Sequence, residues 1–128
     1  SNNNLDMLEE IRLAALIHKG VNKDPVAVPA PFALRMGTAY GAEALFLKDQ
    51  IGTLEPGKKA DFIVVDLTGP HMQPLHDVES HLVYSASRDD VQDVYVDGRP
   101  LMRNGEFLTL DEEKIRFHVQ KAFDAIRP

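Results

Sequence analysis

The pattern of apolar and polar positions divides the chain into a helical first part and a second part built from shorter apolar runs. Apolar residues recur at helical spacing in residues 5–19, which predicts a helix with one apolar stripe, made of Leu5, Leu8, Ile11, Ala15 and Leu16. We expect Asn4 to cap this helix, because its side chain can accept from free main-chain N–H groups. Gly20 follows the last basic residue of the stretch and is expected to lie just beyond the helix.

Prolines and glycines separate the next two segments. Residues 21–31 contain Pro25, Pro29 and Pro31, which disfavour a long helix and predict a linker. Residues 32–46 are rich in Ala, Leu and Met and contain Gly37 and Gly41. This composition predicts two short helices that pack closely, because the missing side chains let the backbones approach each other.

The second part of the chain changes to a strand pattern. Residues 62–65 form a short, mostly β-branched run that predicts a strand buried on both faces, and residues 81–87 are predicted as another short strand. Residues 91–96, residues 99–102 and the segment around Phe107 are separated by Asp-Gly and Asn-Gly pairs. Such pairs favour tight turns, so these three segments predict a β-meander.

The end of the chain returns to helical spacing. Thr109 and Glu112 have the spacing of a capping box, so we expect a closing helix from about residue 110, with Pro128 beyond its end. The order of elements therefore predicts an α+β fold. Four or five short strands with one apolar face must pack on another layer, and the helices of this chain are too few to supply all of it.

Composition narrows the classes of protein to which the chain could belong. Its 128 residues predict one domain, and its formal net charge of −6 with no basic cluster argues against nucleic acid and anionic membranes as partners. The sequence has no cysteine, which excludes thiolate metal sites and cysteine nucleophiles and fits a cytoplasmic protein. It begins at Ser1 without Met, and we expect it to be a piece of a longer polypeptide.

Three histidines, His71, His76 and His81, lie five residues apart and raise the hypothesis of a metal site. A spacing of five does not place them on one face of a strand or helix, and neither His-x-His nor an i, i+4 pair is present. The favoured interpretation is structural or solvent-exposed histidines. The weaker alternative is a loop metal site completed by Asp77 and Glu79.

Other candidate chemistry is equally weak. Ser85 and Ser87 lie near His81 in sequence, but no Gly-x-Ser-x-Gly turn frames either of them as a nucleophile. Residues 37–42 are glycine-rich but lack the Lys-Ser/Thr end of a phosphate-binding loop. The residues taken alone therefore indicate no active site.

Three segments together resemble one enzyme family. Residues 51–66 (IGTLEPGKKADFIVVD) are similar to the segment by which amidohydrolase-superfamily enzymes leave their TIM barrel and enter a small β-sandwich. Residues 94–106 (VYVDGRPLMRNGE) resemble the later hairpin of that sandwich. Residues 1–15 (SNNNLDMLEEIRLAA) are similar to the segment after barrel strand eight in the branch of 5-methylthioadenosine/S-adenosylhomocysteine deaminases and chlorohydrolase-like enzymes.

The resemblance implies a specific arrangement of these parts. Residues 1–50 would be the last helix of a metal-dependent TIM barrel and the helices after it. Residues 51–110 would be the C-terminal part of a composite β-sandwich, and residues 111–128 a closing helix. In this family, strands from the N-terminus of the protein complete the sandwich, so the resemblance implies that the missing barrel and strands of the same protein are partners of this chain.

The function implied by the resemblance is hydrolytic deamination of a purine nucleoside such as 5-methylthioadenosine or S-adenosylhomocysteine in the intact enzyme. A divalent metal, zinc in the favoured interpretation, would activate water there. No family metal ligand matches a position here, because the last one, an Asp, would precede Ser1. We therefore expect no catalytic, cofactor-binding or metal-binding residue in this chain, no metal bound by it, and no activity of the chain alone. Residues 1–4 would lie near the site, with helix capping as their favoured role.

Several alternatives remain open at this point. The parent enzyme could be a guanine or triazine deaminase or a chlorohydrolase, because these enzymes reuse the same machinery. The chain could also be a non-catalytic β-sandwich module that associates with itself through unpaired strand edges. A stand-alone metal-binding protein that uses the histidine loop is the weakest alternative. We expect the parent protein to be a homo-oligomer.

Overall fold

The computed structural model describes residues 4–127 and shows a mixed fold of helices and one antiparallel sheet, as predicted. In chain order the elements are α1 (Met7–Asn22), α2 (Ala30–Met36), α3 (Ala39–Ala44), β1 (Phe62–Val65), α4 (Val78–Tyr84), β2 (Val91–Val96), β3 (Arg99–Arg103), β4 (Glu106–Phe107) and α5 (Glu112–Ile126). Short 3₁₀ turns at Pro70–Met72 and Arg88–Asp90 precede α4 and β2. The expected roles of residues 1–3 near a site and of Pro128 beyond the last helix fall outside the described residues.

Helix α1 is present, but both of its ends differ from the prediction. Asp6, not Asn4, is the N-cap, and its side chain accepts from the N–H groups of Leu8 and Glu9. The helix runs through Gly20 to Asn22, and its C-cap, Lys23, adopts a left-handed conformation. The Asp6 carboxylate lies directly before the first helical residue and caps the helix in place of Asn4, two residues earlier. One glycine near the end of a helix does not by itself stop it.

The helical part is held together by small side chains. Ile11 and Ala15 of the predicted stripe are buried, together with Ala30, Ala33 and Val83, whereas Leu5 and Leu16 of that stripe are exposed. The two short helices predicted for residues 32–46 are confirmed as α2 and α3. A Cβ atom at Gly37 would lie 2.7 Å from Cγ2 of Ile11, so glycine is what allows α2 to approach α1.

The strand predicted for residues 81–87 is wrong, because most of this segment belongs to helix α4. The Asp77 side chain accepts from the Ser80 N–H at 2.7 Å and starts the helix. Val83 is then fully buried against α1 and α2. Capping and tertiary packing therefore override the strand propensity of Leu82-Val83-Tyr84.

The sheet has the order β1-β2-β3-β4, and all its neighbouring strands are antiparallel. The predicted β-meander is confirmed: Asp97-Gly98 and Asn104-Gly105 have positive φ at both turn positions. Burial of β1 on both faces is wrong within this chain, because Ile63 and Val64, on opposite faces, are 48% and 43% exposed.

The closing helix α5 begins later than predicted. Asp111, whose side chain accepts from the Lys114 N–H, is the N-cap, so Thr109 and Glu112 do not form the predicted capping box. Every described residue of α5 is exposed. Within residues 4–127, no helix has both the length and the apolar character that crossing a membrane requires.

Candidate functional site

The three regularly spaced histidines do not converge on one point. The Nε2 atom of His71 lies 3.0 Å from the Asp90 carboxylate, whereas the rings of His76 and His81 meet edge to face at 4.6 Å. Their Nδ1 atoms donate to the main-chain oxygens of Pro74 and Asp77, respectively. In the part of the chain that the structure describes, no group of three or more His, Cys, Asp or Glu side chains could hold a metal ion.

Ser87, His71 and Asp90 do come together, in an order that does not activate the serine. Both the N–H and the Oγ of Ser87 donate to the Asp90 carboxylate, at 2.7 and 3.0 Å. The carboxylate therefore lies between the serine and the imidazole, and the imidazole is not placed to take the serine proton. Ser85 ends helix α4, and its N–H donates to the main-chain oxygen of His81. This cluster is a structural hub that joins the turn after Gly69 to the start of β2.

Hydrogen bonds make three carboxylates of this region more acidic. Thr68 donates to Asp66 and lowers the pKa of that carboxyl, and Ser80 does the same for Asp77. Burial raises the pKa of Asp90, but donors from Ser87 and His71 together outweigh it and leave this pKa below its ordinary value. The ionised forms of all three carboxylates therefore favour the folded state.

Two arginines connect segments that are distant in sequence. Arg12 on α1 donates to the main-chain oxygens of Val83, at 3.0 Å, and Ala86, which lie at and just after the end of α4. Arg88 donates to the Asn4 side chain at 3.2 Å, and Asn4 in turn donates to Glu9. The segment before α1 is thus fixed against the turn that leads into the sheet. Sequence reasoning missed both arginines, because no local pattern marks a long-range donor to a main-chain carbonyl.

The described residues form an open, apolar cavity of about 530 Å³ between the helical part and the first strand. Helices α2 and α3 form one wall, the loop after α3 another, and Phe62 and Ile63 of β1 the third. Asp61 is its only ionisable lining residue. This lining offers no constellation for acid–base or nucleophilic chemistry, and it exposes apolar surface that a further layer of protein can cover.

The sequence profile of the amidohydrolase family matches residues 1–101. Because this match covers most of the chain, the chain belongs to the amidohydrolase family. Its helices and antiparallel sheet correspond to part of an amidohydrolase-type structure.

Relatives with curated names are similar over almost the whole chain. The 5-methylthioadenosine/S-adenosylhomocysteine deaminase of Dictyoglomus thermophilum is 55% identical over 128 residues, which are 99% of this chain and 30% of that protein. The enzyme of the same name from Halalkalibacterium halodurans is 52% identical over 126 residues, or 98% of this chain and 28% of that protein. The chain therefore spans less than a third of the length of these relatives.

Solved structures also match nearly all of this chain with a small part of a longer protein. An adenosine deaminase from Xanthomonas campestris with bound zinc matches with a TM-score of 0.96 and 42% identity, over 99% of this chain and 29% of that one. An atrazine chlorohydrolase from Arthrobacter aurescens, complexed with zinc, matches with a TM-score of 0.80 and 31% identity, over 89% of this chain and 25% of that one. The fold described above is thus one portion of a larger enzyme architecture.

Proposed function

We propose that this chain is the C-terminal portion of an enzyme that hydrolytically deaminates a purine nucleoside, either 5-methylthioadenosine or S-adenosylhomocysteine. In that reaction water replaces the amino group on the purine ring, and ammonia leaves. The observation that carries the proposal is the identity of 52% and 55% to two deaminases of this name over nearly all of the chain. The chlorohydrolase neighbour, at 31% identity, supports a triazine substrate less well, and a non-catalytic assembly module is not favoured.

The residues present do not fit the zinc ion that the solved neighbours contain. Residues 4–127 include no group of three or more His, Cys, Asp or Glu side chains that could hold a metal ion. We infer that the metal ligands and the substrate-binding groups belong to the part of the longer polypeptide outside these 128 residues. The chain alone is then inactive, and its contribution to the enzyme is structural.

The uncovered apolar surface supports a division of the fold between a barrel and a sandwich. We infer that residues 1–50 carry the last helix of a TIM barrel and the helices after it, and that residues 51–110 form part of a composite β-sandwich. Residues 111–128 are the closing segment. Five of the nine buried apolar residues in the described part are alanines, which is a small core for a chain of this length. The missing barrel and the N-terminal strands would cover the exposed faces of β1 and the apolar cavity.

Within this arrangement, Arg12 and Arg88 position the start of α1. The segment before α1 is the expected exit from the catalytic face of the barrel. Arg12 joins α1 to α4, and Arg88 joins Asn4 of this preceding segment to the turn before β2. The hydrogen bond of Arg12 joins groups 71 residues apart in the chain, and that of Arg88 joins groups 84 residues apart. They would keep the start of α1 in place while the rest of the enzyme binds substrate.

A chimera tests the proposal. The matching 30% of the Dictyoglomus thermophilum deaminase would be replaced by this chain. The rate of ammonia release would be measured with 5-methylthioadenosine and S-adenosylhomocysteine, and the rate of chloride release with atrazine. We expect the chimera to deaminate at least one nucleoside within about tenfold of the parent enzyme and to leave atrazine unchanged. A folded, zinc-loaded chimera without activity on either nucleoside would refute the proposal, and hydrolysis of atrazine would favour the chlorohydrolase alternative.

A further inference from the structure

Phe46 adopts a backbone conformation that usually belongs to glycine. It lies just after α3, and its φ of 59° is in the left-handed region. Its N–H donates to the main-chain oxygen of Glu43 at 3.0 Å, and the Leu47 N–H donates to that of Ala42 at 2.8 Å. These two bonds form a Schellman motif, in which the left-handed residue is usually glycine because a Cβ atom is unfavourable there. The backbone at Phe46 is therefore strained.

The other non-glycine residues with positive φ in the described part of the chain have a local reason for that conformation. Asp97 and Asn104 are short polar residues that precede glycines in tight turns. Val28 packs against the buried core, and Lys23 places a positive charge at the end of α1, where the helix dipole favours it. Phe46 is 94% exposed, so packing among the described residues does not offset its strain.

The exposed ring follows directly on other uncovered apolar surface. Leu45, the residue before Phe46, is 67% exposed, and Leu54 is 72% exposed. Both leucines line the apolar cavity between the helical part and β1. An aromatic side chain that is exposed next to such a surface is typical of an interface anchor, the residue that inserts into a pocket of the partner.

We propose that Phe46 is an anchor that inserts its ring into an apolar pocket of the remaining part of the same polypeptide. This inference rests on the proposed function, because it takes the chain to be a portion of a longer enzyme. In two relatives that match 98–99% of this chain, more than two thirds of the protein lies outside the match. A covalently joined segment has a high effective concentration at this surface and therefore outcompetes a second copy in solution. Burial of the ring then offsets the backbone strain.

The variant Phe46→Gly tests the anchor, because it removes the strain and the ring together. Its urea midpoint would be compared with the original in two proteins, the chain of 128 residues and the chimera with the Dictyoglomus thermophilum deaminase described above. In the chain, where the ring is exposed, relief of the strain should raise the midpoint by about 0.3 M. In the chimera, the lost burial should outweigh that relief and lower the midpoint by at least about the same amount.

Lys23→Gly is the matched control, because Lys23 also follows a helix with positive φ, at 52°, and its side chain is exposed and polar. Its urea midpoint should rise in both proteins.

Three results would overturn the proposal. A higher midpoint of Phe46→Gly in both proteins would show that the ring stays uncovered in the longer polypeptide, and a lower midpoint in both would show that the backbone is not strained. Dimers of the 128-residue chain that Phe46→Gly abolishes in sedimentation velocity would make a second copy the partner. None of these measurements uses ammonia release, so a folded but inactive chimera refutes the proposed function separately.

Discussion

The guanidinium of Arg12 donates from Nε to the main-chain oxygen of Val83 at 3.0 Å, joining helices α1 and α4 across 71 residues of sequence. The same side chain donates to the oxygen of Ala86. Carbonyl groups at the end of a helix have no partner within that helix, so one arginine satisfies two groups that folding would otherwise leave without a donor. Arg12 is thus a polar link between α1 and the α4 segment.

Removing that link should destabilise the fold. Arg12→Met keeps most of the aliphatic stem but leaves both carbonyl oxygens without their charged donor, and we expect a loss of about 1–3 kcal/mol in the free energy of unfolding. Arg99→Met is the matched control, because Arg99 is exposed on β3, and its effect should stay within about 0.5 kcal/mol. Urea unfolding followed by circular dichroism measures both values. Equal stability of the two variants would contradict the role assigned to Arg12.

Two glycines on neighbouring helices should respond to alanine in opposite ways. Gly37→Ala places a Cβ atom 2.7 Å from Cγ2 of Ile11, and we expect a loss of about 1–3 kcal/mol from the resulting overpacking. Gly20→Ala, inside α1 with no atom within 4 Å of the new Cβ, should instead stabilise by about 0.5–1 kcal/mol. Urea unfolding followed by circular dichroism measures the free energy of unfolding of both variants. A stabilising Gly37→Ala would mean that α2 does not depend on this close approach.

The Asp90 hub predicts a stability that falls in acid. Donors from Ser87 and His71 outweigh burial and lower the pKa of Asp90 in the folded state, so between this pKa and the ordinary one the unfolded chain binds more protons. The contribution of Asp90 is therefore complete above about pH 4 and disappears as the pH falls through the lowered pKa. Asp66 and Asp77 act in the same direction.

The variant Asp90→Asn isolates that contribution. Its urea midpoint should lie below that of the original chain at pH 7, and the difference should shrink as the pH is lowered from 5 to 2.5. Asp89→Asn is the control, because the Asp89 side chain is 90% exposed and its ion pair with Arg88, at 3.9 Å, is on the surface. A difference between Asp90→Asn and the original chain that stays constant over this pH range would show that the carboxylate charge is not what stabilises the hub.

The histidine pair should not retain zinc. The rings of His76 and His81 meet edge to face, but the described residues supply no third ligand beside them. After equilibrium dialysis against zinc, we expect the chain and His76→Ala to have the same metal content, well below one ion per chain. One zinc ion per chain that disappears in His76→Ala would restore the loop metal site as a hypothesis.

Elements whose signals are local could be predicted from the sequence. The Asp97-Gly98 and Asn104-Gly105 turns gave the β-meander, because these pairs tolerate positive φ at both positions. The closely packed helices α2 and α3 followed from Gly37 and Gly41, and the stripe in α1 was correct at Ile11 and Ala15. Each of these predictions depends on residues within one turn or one helix.

Features that depend on tertiary partners could not be predicted in this way. Residues 81–87 have strand propensity, yet the Asp77 cap and the burial of Val83 make most of them helical. Burial of β1 on both faces was an inference from its apolar run, but Ile63 and Val64 are both about half exposed among the described residues. The sequence also offered no candidate active site. We propose that the reacting groups lie elsewhere in a longer polypeptide.

The most direct test of that account is the rate of ammonia release from 5-methylthioadenosine by a two-piece enzyme. This chain would be mixed, with zinc present, with the remaining N-terminal part of the Dictyoglomus thermophilum relative, and each piece would also be assayed alone. We predict activity from the mixture only, with zinc retained by the N-terminal piece and not by this chain. Turnover by the chain alone, or an inactive mixture in which the two pieces have formed a complex, would contradict the account.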